Sequence, residues 1–160
     1  FKDIEKQVIR IHKITNKKLK NSRIYVAIGN GAKNYNSIIN YSKKNKNFKL
    51  IYKQFGISKY LNKVDLFIGS ASTAIYEMSF LKTPSIFIIC NKTQNYKISE
   101  LEKLGHYFLI NLNEFKKENF LKFLDNFINN FKSIKNLFSH RKAILDNMGA
   151  NRVAQIIKNI

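Results

Sequence analysis

The period of the apolar positions changes repeatedly along this chain, and each change marks an element. In "DIEKQVIRIHKITNKKL" apolar residues recur at Ile4, Val8, Ile11 and Ile14, the spacing of a helix, with Asp3 placed to cap it. "RIYVAIGNG" is a short β-branched, apolar run ended by Gly29 and Gly31, so it reads as a strand. "NYNSIINYSKK" predicts a helix, "NFKLIYKQFG" a strand stopped by Gly56, and "ISKYLNKV" a short helix. "DLFIGS" is apolar almost throughout, as expected of a strand covered on both faces. "STAIYEMSFLK" then predicts a helix. In "PSIFIIC" Pro84 takes the first strand position, where its missing donor is tolerated.

"QNYKISELEKLG" reads as a helix stopped by Gly105, and "HYFLI" as the last strand. The remainder is helical in pattern: "NEFKKENFLKFLDNFINNFKSI", "FSHRKAILDNMG" and "ANRVAQIIKNI". Short apolar strands alternating with helices predict an α/β fold, a doubly wound parallel sheet with a helical C-terminus. With one proline, six glycines and no internal repeat, residues 1–160 read as a single domain. Such domains usually open on a strand, and this chain opens on a helix. The expectation is a fragment of a larger protein whose first strand lies upstream.

Composition narrows the possibilities. The chain is 44% hydrophobic and 13% aromatic, which argues for a folded protein over a disordered one. No apolar run approaches membrane-spanning length, and no secretory signal opens the chain. The single cysteine, Cys90, rules out an internal disulfide framework and makes the cytoplasm the default address. Lys and Arg number 29 against 10 Asp and Glu, a net charge of +19, which suits nucleic acid, an anionic membrane surface or a phosphorylated metabolite. The excess is nearly all lysine, scattered along the sequence; the arginines are Arg10, Arg23, Arg141 and Arg152. Scattered lysine without interleaved aromatics reads as a solvated surface and argues against nucleic acid as the partner.

The candidate chemistry centres on "VDLFIGSASTAIYEMSFLKTPSIFI". Open α/β sheets bind ligands beyond the carboxyl ends of their strands, where loops lead into helices. The run from Gly69 to Thr73 occupies such a place, and the side chains of Ser70, Ala71 and Ser72 are too small to block the backbone. Ser72 or Thr73 is placed to cap the next helix, whose first N–H groups and partial positive charge suit a phosphate. Any strand-to-helix turn also favours small capping residues, so the turn alone leaves both readings open. Glu77 lies four residues past Thr73, on the same helical face, where a carboxylate accepts hydrogen bonds from ribose hydroxyls or simply complements the helix dipole.

These residues carry a resemblance. "VDLFIGSASTAIYEMSFLKTPSIFIICNKTQN", "LEKLGHYFLI" and "MGANRVAQII" resemble the C-terminal domain of the UDP-sugar hydrolase of pseudaminic acid synthesis. That family is related to spore-coat polysaccharide biosynthesis proteins and, more distantly, to the N-acetylglucosaminyltransferase of peptidoglycan synthesis. The resemblance runs from "RIYVAIGNGAKN" to the end of the chain and is specific from Asp65 to Gln94. It implies the Rossmann-like C-terminal half of a glycosyltransferase-B fold, with UDP or a UDP-sugar as partner. It further implies that the backbone of Ser72, Thr73 and Ala74 holds the diphosphate and that Glu77 takes the ribose hydroxyls. Gln94, with Thr93 and Asn95 beside it, would face sugar or phosphate, and the main chain near Ile57 would touch uracil. Where the family usually has Gly-Ser-Thr, this chain has Ser72-Thr73-Ala74. The family's catalytic histidine belongs to a Gly-His-x-x-Arg motif in an N-terminal domain, and "SHRKA" around His140 is not that motif.

The resemblance therefore implies half an enzyme, inactive alone, whose partner would be the missing N-terminal domain. Related fusions join such modules to nucleotidyltransferases that make CMP-activated sialic-acid-type sugars. A degenerate scaffolding domain in such a fusion is one alternative, and a basic module for nucleic acid or anionic polymer is the other. No cofactor or metal is expected, because His12, His106 and His140 lie in separate elements without ligand partners at metal spacing. Cys90 ends an apolar strand without an activating neighbour and reads as inert. Phe115, Phe120, Phe123, Phe127 and Phe131 form a stripe that faces the core. If the N-terminal domain is absent, part of that stripe or the closing helix is left to self-associate.

Overall fold

The structure, a computed structural model, describes residues 4–19, 21–29, 35–52, 56–90, 107–115, 118–140 and 145–159. In chain order its elements are α1 (Ile4–Lys18), β1 (Ile24–Ile28), α2 (Tyr35–Lys44), β2 (Phe48–Tyr52), α3 (Ser58–Leu61), β3 (Phe67–Ser70), α4 (Ala74–Leu81), β4 (Ser85–Ile89), β5 (Tyr107–Asn111), α5 (Leu112–Phe115), α6 (Glu118–Asn129), α7 (Phe131–His140) and α8 (Gly149–Lys158). The alternation expected from the apolar pattern is present, and every paired strand runs parallel. Among the described residues the strands form two parallel sheets, one of β1 and β2, the other in the order β3-β4-β5. The chain divides into two compact units, Phe1–Lys63 with Asn113–Asn130, and Val64–Leu112 with Phe131–Ile160.

In the first unit β1 and β2 pair from Ile24↔Phe48 to Ile28↔Tyr52, joined through α2 as a parallel pair requires. Val26, Ile38 and Phe48 are buried together, with Val8, Ile24, Ile28, Tyr41 and Leu50 packed around them. Among the described side chains of α1 the most deeply placed is not one of the apolar positions that gave its period but His12, at 1% exposure. Its Nε2 lies 3.0 Å from Asn47 Oδ1 and its Nδ1 2.8 Å from the Tyr41 hydroxyl. Asn47 Nδ2 donates to Asn16 Oδ1 (2.7 Å) and to the Ser22 carbonyl (3.3 Å), so Oδ1 is the end that faces the ring. Nε2–H therefore donates to Asn47 Oδ1, and Nδ1 shares a hydrogen bond with the Tyr41 hydroxyl. The ring also stands edge-on to Tyr41 and Phe48. On α6, Phe120, Leu124, Phe127 and Ile128 are buried; of the phenylalanine stripe, Phe115, Phe120 and Phe127 face the core, Phe123 is half-buried, and Phe131 is half-buried on α7 in the second unit.

In the second unit β4 lies between β3 and β5, and all five of its residues are buried. β3, expected to be covered on both faces, is half-buried throughout and, among the described residues, lies at the edge of its sheet. α4 turns Ile75, Met78 and Ser79 inward and ends at Lys82, which takes the left-handed conformation (φ 54°) that often closes a helix. The single helix expected over 113–134 is three, and Asn130, whose side chain donates to the Asn126 carbonyl, closes α6 before α7 starts. The helix expected over "FSHRKAILDNMG" is not continuous: α7 ends at His140 and residues 145–148 are not helical. Asp146 instead accepts from the Met148 N–H (3.0 Å) and pairs with Arg152 at 2.9 and 3.0 Å, holding the start of α8. The helix expected to end at Gly105 lies outside the described residues.

Candidate functional site

The turn between β3 and α4 begins where β3 leaves the sheet. Ser70 is in register with Ile88, and the next residue, Ala71, extends the ladder by donating its N–H to the Ile88 carbonyl (2.9 Å). Ala71 is buried and fixes the turn to the end of the central strand. Ser72 and Thr73 follow, both exposed. Their carbonyls accept from Ile75 N and Tyr76 N, each at 3.0 Å, which starts α4. Among the described residues the N–H groups of Ser72, Thr73 and Ala74 have no acceptor. They point out of a helix start, where the macrodipole adds partial positive charge.

Thr73 is the N-cap residue as its type suggested, but its side chain makes no capping bond and its backbone is already helical (φ −54°, ψ −23°). The hydroxyl is thus not consumed by the helix. Ser72, where the resemblance leads one to expect glycine, has a backbone outside the left-handed region. Among the described residues positive φ occurs only at Lys82 and Gly56, so this turn needs no glycine for its conformation. Gly69 is small for a different reason. A Cβ there would stand 2.6 Å from the Phe67 ring, which lies over it.

Glu77 is exposed in the first turn of α4, four residues from Thr73 and on the same face. That face carries two further exposed side chains that the pattern of the sequence did not separate from the core, Tyr76 at 44% and Phe80 at 45%. Nearly every residue of "AIYEMSFL" is apolar, so the segment has no period to tell its inner side from its outer one. The result is a helical strip of Thr73, Tyr76, Glu77 and Phe80, with a carboxylate between two rings. Among the described residues no group of His, Cys, Asp and Glu is placed to hold a metal ion.

Ile57 belongs to the first unit, where it is half-buried at the N-cap of α3 just after Gly56 (φ +72°). Its carbonyl accepts from Tyr60 N (2.8 Å) and Leu61 N (3.2 Å). Thr93, Gln94 and Asn95 lie outside the described residues. Cys90 is half-buried, its thiol donates toward the Ile88 carbonyl (3.2 Å), and burial pushes its pKa up, which disfavours the thiolate. His140 is exposed on α7 and bonded within its own helix, to the Asn136 carbonyl.

The comparison with curated proteins found no match, and neither did the comparison with solved structures. Among protein families, the model of the glycosyltransferase family 28 C-terminal domain matches residues 1–160, the whole chain. The mixed α/β architecture with parallel sheets agrees with it. The chain belongs to the glycosyltransferase family 28 C-terminal domains, glycosyltransferase-like domains of the nucleotide-sugar-binding kind.

Proposed function

We propose that this chain is the donor-binding half of a UDP-sugar-using enzyme, and that the β3–α4 turn grips the diphosphate of the departing UDP. The observation that carries the reading is the set of outward N–H groups at Ser72, Thr73 and Ala74, at the end of a parallel strand, in a chain of this family. Backbone donors and a helix N-terminus hold an anion without a basic side chain, so the alanine at position 74 leaves the main contacts in place. Glu77, exposed on the same face, accepts the two ribose hydroxyls.

The resemblance to the hydrolase of pseudaminic acid synthesis supports a more specific version. In it, water attacks the sugar carbon bonded to the diphosphate, the carbon–oxygen bond breaks and UDP leaves with the negative charge. This domain's part is to stabilise that charge. The general base and the sugar contacts come from an N-terminal domain, and residues 1–160 act as one nucleotide-sugar-binding domain. A surface-sugar pathway of the nonulosonic or sialic-acid type is the setting this version implies.

The test is calorimetric titration of the chain with UDP and, separately, with CMP at moderate salt. Saturable UDP binding is expected, and Glu77→Ala should weaken it by about 1–2 kcal/mol through lost charge-assisted hydrogen bonds. That is roughly a five- to thirtyfold rise in Kd. Equal affinity of wild type and Glu77→Ala would refute the ribose role. Binding of neither nucleotide would replace this reading with the scaffolding one.

A further inference from the structure

Two connections of the first unit meet at the amino-terminal edge of the β1–β2 sheet. One leaves α1 and enters β1, and the other leaves α2 and enters β2. Asn47 knits them together through its bonds to Asn16 and Ser22, while its carbonyl accepts from Ile24 N at 2.8 Å. Lysines that are scattered in the sequence are gathered here. α1 ends on Lys17 and Lys18, α2 on Lys43 and Lys44, Arg23 precedes β1, Lys46 precedes β2, and all six are exposed. The two connections, residues 16–24 and 42–47, contain seven Lys or Arg and no Asp or Glu, and one carboxylate from elsewhere in the chain, Asp125, reaches this edge. Asp125 pairs with Lys18 (2.8 Å); among the described residues no other carboxylate is paired with these six. The partial negative charge at the helix C-termini accounts for a lysine or two, but Arg23 and Lys46 lie beyond the helices.

We propose that this edge docks on an anionic membrane surface. The choice among anionic partners rests on three observations. The cations are lysines, point charges suited to a field of lipid headgroups; Arg23, which could fork onto a phosphate, lies toward the Tyr25 hydroxyl (3.4 Å). Neither connection, residues 16–24 or 42–47, contains an aromatic residue on which a nucleobase could stack. Leu19, just past α1 and between Lys18 and the turn into β1, is 43% exposed, an aliphatic side chain among cations that can enter the headgroup layer. Contact of this kind is peripheral and reversible, and is consistent with there being no membrane-crossing helix among the described residues.

The test is co-sedimentation of the whole chain with vesicles of phosphatidylcholine alone and of phosphatidylcholine mixed with phosphatidylglycerol. It is run at about 0.1 M salt, where the Debye length is about 10 Å. Each lysine at an anionic leaflet is worth about fivefold in partitioning. A variant with Lys17, Lys43, Lys44 and Lys46 all changed to Gln should therefore lose about a hundredfold or more on the mixed vesicles. A variant of the same net charge, with Lys59, Lys63, Lys132 and Lys158 changed to Gln, should lose less than about fivefold. Leu19→Gln should lose about threefold with charge unchanged, a readout that electrostatics alone does not move. Equal losses in the two four-lysine variants would overturn the proposal, as would equal partitioning to the two kinds of vesicle. So would tighter binding to a duplex DNA oligonucleotide that Leu19→Gln leaves unaltered, since nucleic acid would then be the partner. Melting curves of the variants establish that each loss belongs to a folded protein.

Discussion

Removing the His12 ring should loosen the first unit more than any change to the apolar positions of α1, because that ring joins three elements. It is 1% exposed, bonded at both nitrogens, and stands edge-on to Tyr41 and Phe48. His12→Ala strips a partner from the Tyr41 hydroxyl and from Asn47 Oδ1, each lost bond costing about 1 kcal/mol. It also opens a cavity the size of an imidazole, for which roughly 1–2 kcal/mol is a fair share of the large-to-small range. The sum is about 3–4 kcal/mol. His12→Leu fills most of the space yet leaves both polar partners unpaired, so it should still cost about 2 kcal/mol. Asn47→Ala breaks the same link from the other side, and the double variant should show about 1 kcal/mol of coupling with His12. Hydrogen exchange of the β1 and β2 amides at Val26 and Leu50 is the assay, because it reports on this unit alone. A His12→Ala cost under about 1 kcal/mol, or a His12→Leu chain as protected as wild type, would refute the reasoning.

Other outcomes follow from the same structure. Hydrogen bonding to Arg152 and to the Met148 N–H lowers the Asp146 pKa below its ordinary 3.8. A carboxylate depressed in the folded state stabilises at pH above its unfolded value and loses that contribution as pH falls through the lower folded one. Helicity at the start of α8 should therefore be constant from neutral pH down to about 4 and decline below it, as followed by the Met148 amide resonance. Alkylation of Cys90 near pH 8 should be slower than for a free peptide cysteine and should accelerate as pH rises, since burial raises its pKa above 9.0; peptide-like rates near pH 8 would contradict the burial. Leu124→Ala, at a fully buried position of α6, should cost about 3 kcal/mol in urea unfolding, and a cost under 1 would place that helix face outside the core.

Much of the fold was legible because strand and helix periods differ and β-branched runs are short. β1, β4 and β5 fall inside the runs "RIYVAIGNG", "PSIFIIC" and "HYFLIN", of which the last gains one residue over its reading, and β2 occupies Phe48–Tyr52 of "NFKLIYKQFG", whose residues 53–55 lie outside the described ones. What stayed hidden was depth. "DLFIGS" and "PSIFIIC" look equally apolar, yet β4 is buried throughout while β3 is half-buried, a difference that local pattern does not report. His12 breaks the apolar pattern of α1 and is still buried, because Tyr41 and Asn47, far along the chain, satisfy both ring nitrogens. The helix breaks at Asn130 and Asp146 are set by side chains bonding to backbone, a competition that periodicity does not register. Of the site, the turn and Glu77 were legible from residue size and spacing, whereas the exposed Tyr76 and Phe80 were not.

The departure of Ser72-Thr73-Ala74 from the family's Gly-Ser-Thr bears on how the turn could hold a phosphate at all. A glycine is indispensable where φ is positive or where a ligand needs the space of a missing Cβ. The first reason fails here, because the backbone at Ser72 stays out of the left-handed region. Only the second is left, and it is a matter of reach. A serine Cβ limits how closely an anion nears its own N–H, but its hydroxyl adds a donor beside the donors that remain at Thr73 and Ala74. The lost hydroxyl at position 74 is offset in number by the one that Ser72 brings, while Thr73 keeps a hydroxyl where that pattern has a serine, and the helix does not use it for capping. The turn thus keeps the number of donors while changing which atoms supply them. Ser72→Gly should therefore shift UDP affinity by less than about 1 kcal/mol in either direction. A gain of several kcal/mol in the same calorimetric titration would show that the serine blocks the cradle.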